Sequence, residues 1–211
     1  MKTHRLLALA LVVSVSIFAV AADAASSSAI LSKQDRDFAI KYLKETKQDF
    51  LKTVKGLSDA QWNYKPAPDR WSVAEVSEHI ALSEDFLSKM VTDQIMKSPE
   101  ASAEKRAAVK GKEEQIMKMI PDRSQKAKAP EQLQPRHAFA NREELLKAFT
   151  SKRDANVKYI KETRDELHAH IAPSPLGEFD AYQWMIFMAA HSKRHTAQIE
   201  EVKADPNFPK K

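Results

Sequence analysis

The residues that break helices fall between the apolar segments of this chain, not inside them. Glycine occurs only at Gly56, Gly111 and Gly177, and the ten prolines gather in the connecting stretches. Four long stretches, 33–55, 72–97, 141–167 and 180–203, contain neither residue. Each carries apolar side chains at helical spacing, and runs of alternating β-branched residues are absent beyond residue 24. This pattern predicts an all-α chain.

The N-terminus is a separate element. Lys2 and Arg5 precede the apolar run from Leu6 to Val20, and Ala22-Asp23-Ala24 offers small residues at the positions a signal peptidase reads. Residues 1–24 therefore read as a secretory signal peptide. The run is short for a membrane span, which takes about 20 apolar residues; a retained anchor is the alternative. The expectation is an exported protein, periplasmic or secreted, with no membrane association after cleavage. Its domain would run from Ala25 to Lys211. The absence of cysteine excludes disulfides, thiolate ligands, a cysteine nucleophile and a lipoprotein anchor.

The formal net charge is +5. Its surplus is local, because residues 97–128 hold nine Lys/Arg against five Asp/Glu. A patch for an anionic partner is one reading and a solvated helix and loop the other. The segment has no aromatic residue to stack on bases and the chain shows no recognisable nucleic-acid module, so nucleic acid is not an expected partner.

The first helix is predicted over Lys33–Lys55, with Phe38, Tyr42, Phe50 and Val54 as its stripe and Gly56 as its stop. A loop carrying Trp62 and Tyr64 follows. Ser72-Val73-Ala74-Glu75 is a capping box that opens the second helix, expected to end near Lys97. A helix is read around Ala103–Met119, then a Lys- and Pro-rich loop to Ala140. Asn141 opens the third long helix, read to about Leu167. A loop with Pro173, Pro175 and Gly177 leads to the last helix, about Asp180–Lys203. Four striped helices joined in this way predict an antiparallel four-helix bundle.

Two histidines sit four apart on the last helix, His191 and His195, in phase with Trp184 and Met188. Residues four apart share a helix face, so both imidazoles can reach one metal ion. His79 lies at the edge of the second helix's stripe and is the candidate third ligand. Buried imidazoles without partners would cost about 1–3 kcal/mol each, which favours a shared ligand over chance. His137, His168 and His170 read as surface or capping residues. Residue 192 is serine, so the pair lacks the glutamate of a His-Glu-x-x-His protease; Gly-x-Ser-x-Gly and phosphate-binding glycine loops are absent.

Two groups of residues resemble the DinB-like (damage-inducible) superfamily. One is Trp62-Asn63-Tyr64-Lys65-Pro66 with Arg70-Trp71-Ser72-Val73-Ala74-Glu75-Val76 and His79. The other is Tyr182-Gln183-Trp184 with Ala190-His191 and Arg194-His195-Thr196-Ala197-Gln198-Ile199. The resemblance implies an up-down-down-up four-helix bundle, with a long crossover between the second and third helices at 98–140. It also implies a divalent metal on His79, His191 and His195, zinc or nickel first and iron next. The better-studied relatives are thiol-dependent transferases and isomerases that use cytoplasmic thiol pools, from which an exported chain is separated.

The expected function is a metal-dependent hydrolase or transferase on a small molecule, with a homodimer as the candidate assembly. Glu75 and Glu78 are candidate bases or ligand-orienting groups, although Glu78 stands about 100° around the helix from His79. Gln198, one turn after His195, is a candidate to orient a ligand. The alternative is a non-catalytic bundle that binds a ligand or partner, with metal structural or absent.

Overall fold

The computed structural model describes residues 30–210, and the predicted signal segment lies outside the described residues. Four long helices form the body: α1 (Lys33–Val54), α3 (Val73–Lys89), α6 (Arg142–Glu162) and α7 (Ala181–Lys203). Three short helices lie between them: α2 (Asp59–Asn63), α4 (Ala103–Val109) and α5 (Glu113–Met119). Strands β1 (Ile171–Ser174) and β2 (Gly177–Asp180) form an antiparallel hairpin just before α7.

The caps are written in the sequence. Ser32 with Asp35, Ser72 with Glu75, and Asp180 with Gln183 form reciprocal capping boxes at α1, α3 and α7. Asn141 accepts from the Glu144 amide at α6, while the Glu144 carboxylate reaches back to the Ala140 amide. Gly56, just past the end of α1, takes a φ of 69°, which an L side chain resists.

Long-range hydrogen bonds define the topology. Arg36, at the start of α1, donates to the Ile160 and Thr163 carbonyls at the end of α6, so α1 and α6 are antiparallel. Tyr182 at the start of α7 donates to the Asp35 carbonyl, and Lys203 at its end donates to the Thr53 carbonyl, so α7 runs parallel to α1. Early α3 residues Val73 and Val76 share a core with early α6 residues Leu145 and Phe149, and Ser88 donates to Asn156, so α3 and α6 are parallel. His79, early in α3, meets His195, late in α7. The bundle is therefore up-down-down-up, and α1 and α3 lie across its diagonal. Two neighbouring pairs are parallel, unlike the simple antiparallel bundle that the stripes alone predict; the long crossover allows α6 to run in the same direction as α3.

The middle of the bundle is polar. Arg153, fully buried on α6, forks onto Glu84 of α3 at 2.7 and 2.6 Å. It also donates to the Leu43 carbonyl and Thr46 hydroxyl of α1 and to Ser192 of α7. Asn156 donates to Glu84 and accepts from Ser88. One guanidinium thus contacts all four long helices, and Ser192 lies between the two histidines of α7.

Several expectations change. The helix read over 103–119 is broken at Gly111, where φ is 80°. The second helix does reach Lys97, but as a π turn from Met90 and a 3-10 turn from Ile95. The third long helix stops at Glu162, not Leu167: Thr163 turns to an extended ψ of 144°, and Arg36 takes the Ile160 and Thr163 carbonyls at that end; Leu167 is buried outside the helix. The Pro173–Gly177 loop is a hairpin, and Trp62 sits in the short α2. Phe38, placed in the first stripe, is one of the exposed large apolar residues. No helix among the described residues is long and apolar enough to cross a membrane.

Candidate metal centre

The capping box at Ser72 starts α3 so that His79, two turns on, faces the α7 seam. On α7, Trp184, Met188 and Ile199 are buried against the core and keep the His191–His195 face turned toward α3. The three histidines meet there. His79 Nε2 lies 3.3 Å from His191 Nε2 and 3.2 Å from His195 Nε2. One ligand atom from each lies within 4.8 Å of the other two. His79 is buried and the other two are half-buried.

The outer nitrogens explain which inner atoms are free. His79 Nδ1 lies 2.7 Å from the Leu133 carbonyl, which can only accept, so Nδ1 carries the proton and Nε2 presents a lone pair. His195 Nδ1 lies 2.8 Å from Gln198 Oε1, and the same reasoning frees its Nε2. Two lone pairs therefore face each other at 3.2 Å with no proton between them.

A second proton on any of the three rings is disfavoured and does not relieve this. Burial holds His79 below the usual imidazole range, against the opposing effect of its bond to Leu133. Burial, then the charges of His79, Arg194 and Arg153, brings His191 down to about 3. Burial and the neighbouring His191 and His79 hold His195 well below its ordinary value, with Gln198 opposing.

A cation satisfies the arrangement. An ion about 2.0–2.1 Å from two imidazole nitrogens at a tetrahedral angle sets those nitrogens about 3.3–3.4 Å apart. The observed 3.2 and 3.3 Å fit it, and neutral imidazoles are suitable donors for zinc, nickel or iron.

The two carboxylates nearest in sequence are committed elsewhere. Glu75 completes the α3 capping box and pairs with Lys65 at 2.9 Å. Glu78 is buried and accepts from the backbone amides of Arg136, His137 and Ala138 at 2.9–3.2 Å. It fastens the crossover to α3 instead of facing the histidines. Gln198 Oε1 lies 2.8 Å from His195 Nδ1, within reach of the ring its spacing pointed to.

The remaining histidines stand apart. His137 is an exposed crossover residue with a φ of 59°. His170 Nδ1 donates to the Ser98 carbonyl. His168 is half-buried, 2.8 Å from the Asp180 carboxylate that caps α7. It is thus a partly buried partner of the residue that caps the start of α7.

The crossover supplies what sequence reasoning missed. The 3-10 turn Glu131–Leu133 brings the carbonyl that fixes His79. Arg123 forks onto Glu201 at 2.6 and 2.9 Å and reaches Gln198 Oε1 at 3.3 Å. Arg194 of α7 donates to the Ile120, Asp122 and Gln125 carbonyls. Trp71 packs 5.1 Å from the His79 ring, and Phe187 stacks on His191. A backbone carbonyl has no residue-type signature, so Leu133 had no signal; Glu78 was visible only as the neighbour of His79.

The chain is 29% identical over 160 residues to YuaE, an uncharacterized protein of Bacillus subtilis strain 168, covering 75% of this chain and 93% of that protein. Its fold is similar to the solved structure of YfiT from Bacillus subtilis, described as a probable metal-dependent hydrolase with an unusual four-helix bundle topology. That match has a TM-score of 0.51 at 15% identity and covers 85% of this chain and 91% of the other. The family model of the DinB superfamily matches residues 42–199, which hold all three clustered histidines, and the chain belongs to that superfamily.

Proposed function

We propose that this protein is an exported metal-dependent hydrolase of a small substrate, with a divalent ion, zinc first, held by His79, His191 and His195. The observation that carries the reading is the approach of two Nε2 lone pairs at 3.2 Å with both Nδ1 protons committed outward. Three donors suit a catalytic zinc site, since structural sites use four protein ligands. The printed description of YfiT as a probable metal-dependent hydrolase supports the same class.

A bound ion would supply Lewis acidity toward water and a substrate oxygen. The chain's own residues set the conditions around it. Leu133 and Gln198 hold two imidazoles in the donor tautomer, burial keeps all three neutral, and Trp71 and Phe187 cover the His79 and His191 rings. Export rests on the pattern of residues 2–24.

Metal analysis of protein purified without a nickel column tests the binding. About one equivalent of transition metal, lost in His191→Ala, is expected; under about 0.2 equivalents in both would reject it. An esterase and amidase panel tests the chemistry. Activity that survives both chelation and His79→Ala would reject metal-dependent hydrolysis.

A further inference from the structure

Gln198 can be turned two ways, and only one suits the metal centre. Its amide has an accepting oxygen and a donating nitrogen at nearly the same positions. If Oε1 faces His195, that ring keeps its proton on Nδ1 and offers Nε2 as a lone pair. If Nε2 faces His195, the amide donates to Nδ1, the ring proton moves to Nε2, and the ring cannot ligate inward.

Arg123 breaks this symmetry. A guanidinium has five donors and no acceptor, so it can bond only to the Gln198 oxygen. Arg123 Nη1 lies 3.3 Å from Gln198 Oε1, the atom that also receives the His195 Nδ1 proton at 2.8 Å. The guanidinium is itself held: Nε and Nη2 fork onto Glu201, three residues after Gln198, and its side chain is only 15% exposed. Arg194 fastens the same stretch of crossover to α7 through the Ile120, Asp122 and Gln125 carbonyls. The donor therefore arrives from the crossover at a fixed place.

We propose that Arg123 is a positioning residue for His195, acting through the orientation of the Gln198 amide. The Nη1 donor, placed by the fork onto Glu201, selects the amide oxygen, the oxygen selects the Nδ1–H tautomer, and that tautomer presents Nε2 to His79 and His191. The inference rests on the metal-centre reading for its purpose, but its first test needs no metal.

The histidine ring nitrogens of the metal-free, ¹⁵N-histidine-labelled protein report the tautomer directly by NMR at neutral pH. The unaltered protein should show His195 as Nδ1–H. Arg123→Ala should shift it wholly or partly to Nε2–H, and Arg123→Lys, still an obligate donor, should not. Arg123→Ala combined with Gln198→Glu should restore Nδ1–H, because a carboxylate only accepts. Arg123→Lys, which keeps an obligate donor but not the packing of the guanidinium, separates the donor role from a general packing role. If Arg123→Ala does not fold, Arg123→Gln, which is no longer an obligate donor, is read in its place. Zinc affinity should follow the tautomer, falling roughly 10–100-fold in Arg123→Ala and recovering in the double variant. A folded Arg123→Ala or Arg123→Gln protein with His195 still fully Nδ1–H, or a double variant that fails to restore it, overturns the proposal. Absence of metal binding in the unaltered protein would instead reject the metal-centre reading and leave the tautomer result standing.

Discussion

The Nε2 atoms of His79 and His195 lie 3.2 Å apart, and neither carries a proton that would make the approach a hydrogen bond. A cation between them would turn that approach into two coordinate bonds. Metal should therefore stabilise the fold as well as occupy it. Zinc at about 100 times its dissociation constant should add about 2.7 kcal/mol to unfolding stability. Urea titrations with and without zinc check this, and His79→Ala should abolish the difference.

Acid should release the ion and weaken the fold together. The clustered histidines are neutral in the folded protein and titrate near 6.5 when unfolded. Their folded values are depressed, so the unfolded state binds more protons below that point. Their contribution is complete above about pH 6.5 and is lost as pH falls toward their folded values. Stability curves of the metal-free protein between pH 7 and pH 4 should fall, about in that window.

His168 should act in the opposite sense. Burial lowers its affinity for a proton, but the Asp180 hydrogen bond and charge, with Asp35 and Glu113, raise it overall. Its contribution is present below about pH 6.5 and is lost as pH rises through the raised folded value. His168→Ala should remove that loss, measured as the difference in stability between the two proteins across the same titration.

Breaking the central polar network should be costly. Glu84→Ala or Arg153→Met leaves one buried charge without its partner, and each should cost about 3–5 kcal/mol. Replacing both with apolar residues should cost less than the sum. Denaturant unfolding of the two single variants and the double variant measures the coupling.

Glu78 should behave as a clasp and not as a base. Glu78→Ala leaves the amides of Arg136, His137 and Ala138 without their acceptor, at about 1–3 kcal/mol of local stability. Hydrogen exchange at those amides should accelerate, and metal affinity should fall through the loosened Leu133 carbonyl. Unchanged exchange with lost turnover would instead make Glu78 a catalytic group.

The helices were legible because their signals are local. Ser72 and Glu75, Asp180 and the glycine at 56 state where elements start and stop, and the His191–His195 spacing states which face they share. The topology and the centre's supporting atoms depend on contacts between distant segments. Nothing in the local pattern says that Arg36 will bind the last carbonyls of α6, that Glu78 will hold three crossover amides, or that a carbonyl at 133 will meet a ring at 79. The hairpin at 171–180 escaped because its strands are four residues each and carry two prolines and a glycine in and around the turn. The proposal of export, by contrast, rests only on the pattern of residues 2–24. If that proposal holds, N-terminal sequencing of protein recovered from outside the cytoplasm should begin at Ala25, and a chain retaining Met1 would count against cleavage.

The central claim is tested most directly by anomalous diffraction from crystals grown with zinc. The account predicts one metal peak about 2.0–2.2 Å from Nε2 of His79, His191 and His195. A peak elsewhere, ligation through an Nδ1 atom, or an unchanged cluster of rings with no metal between them would contradict it.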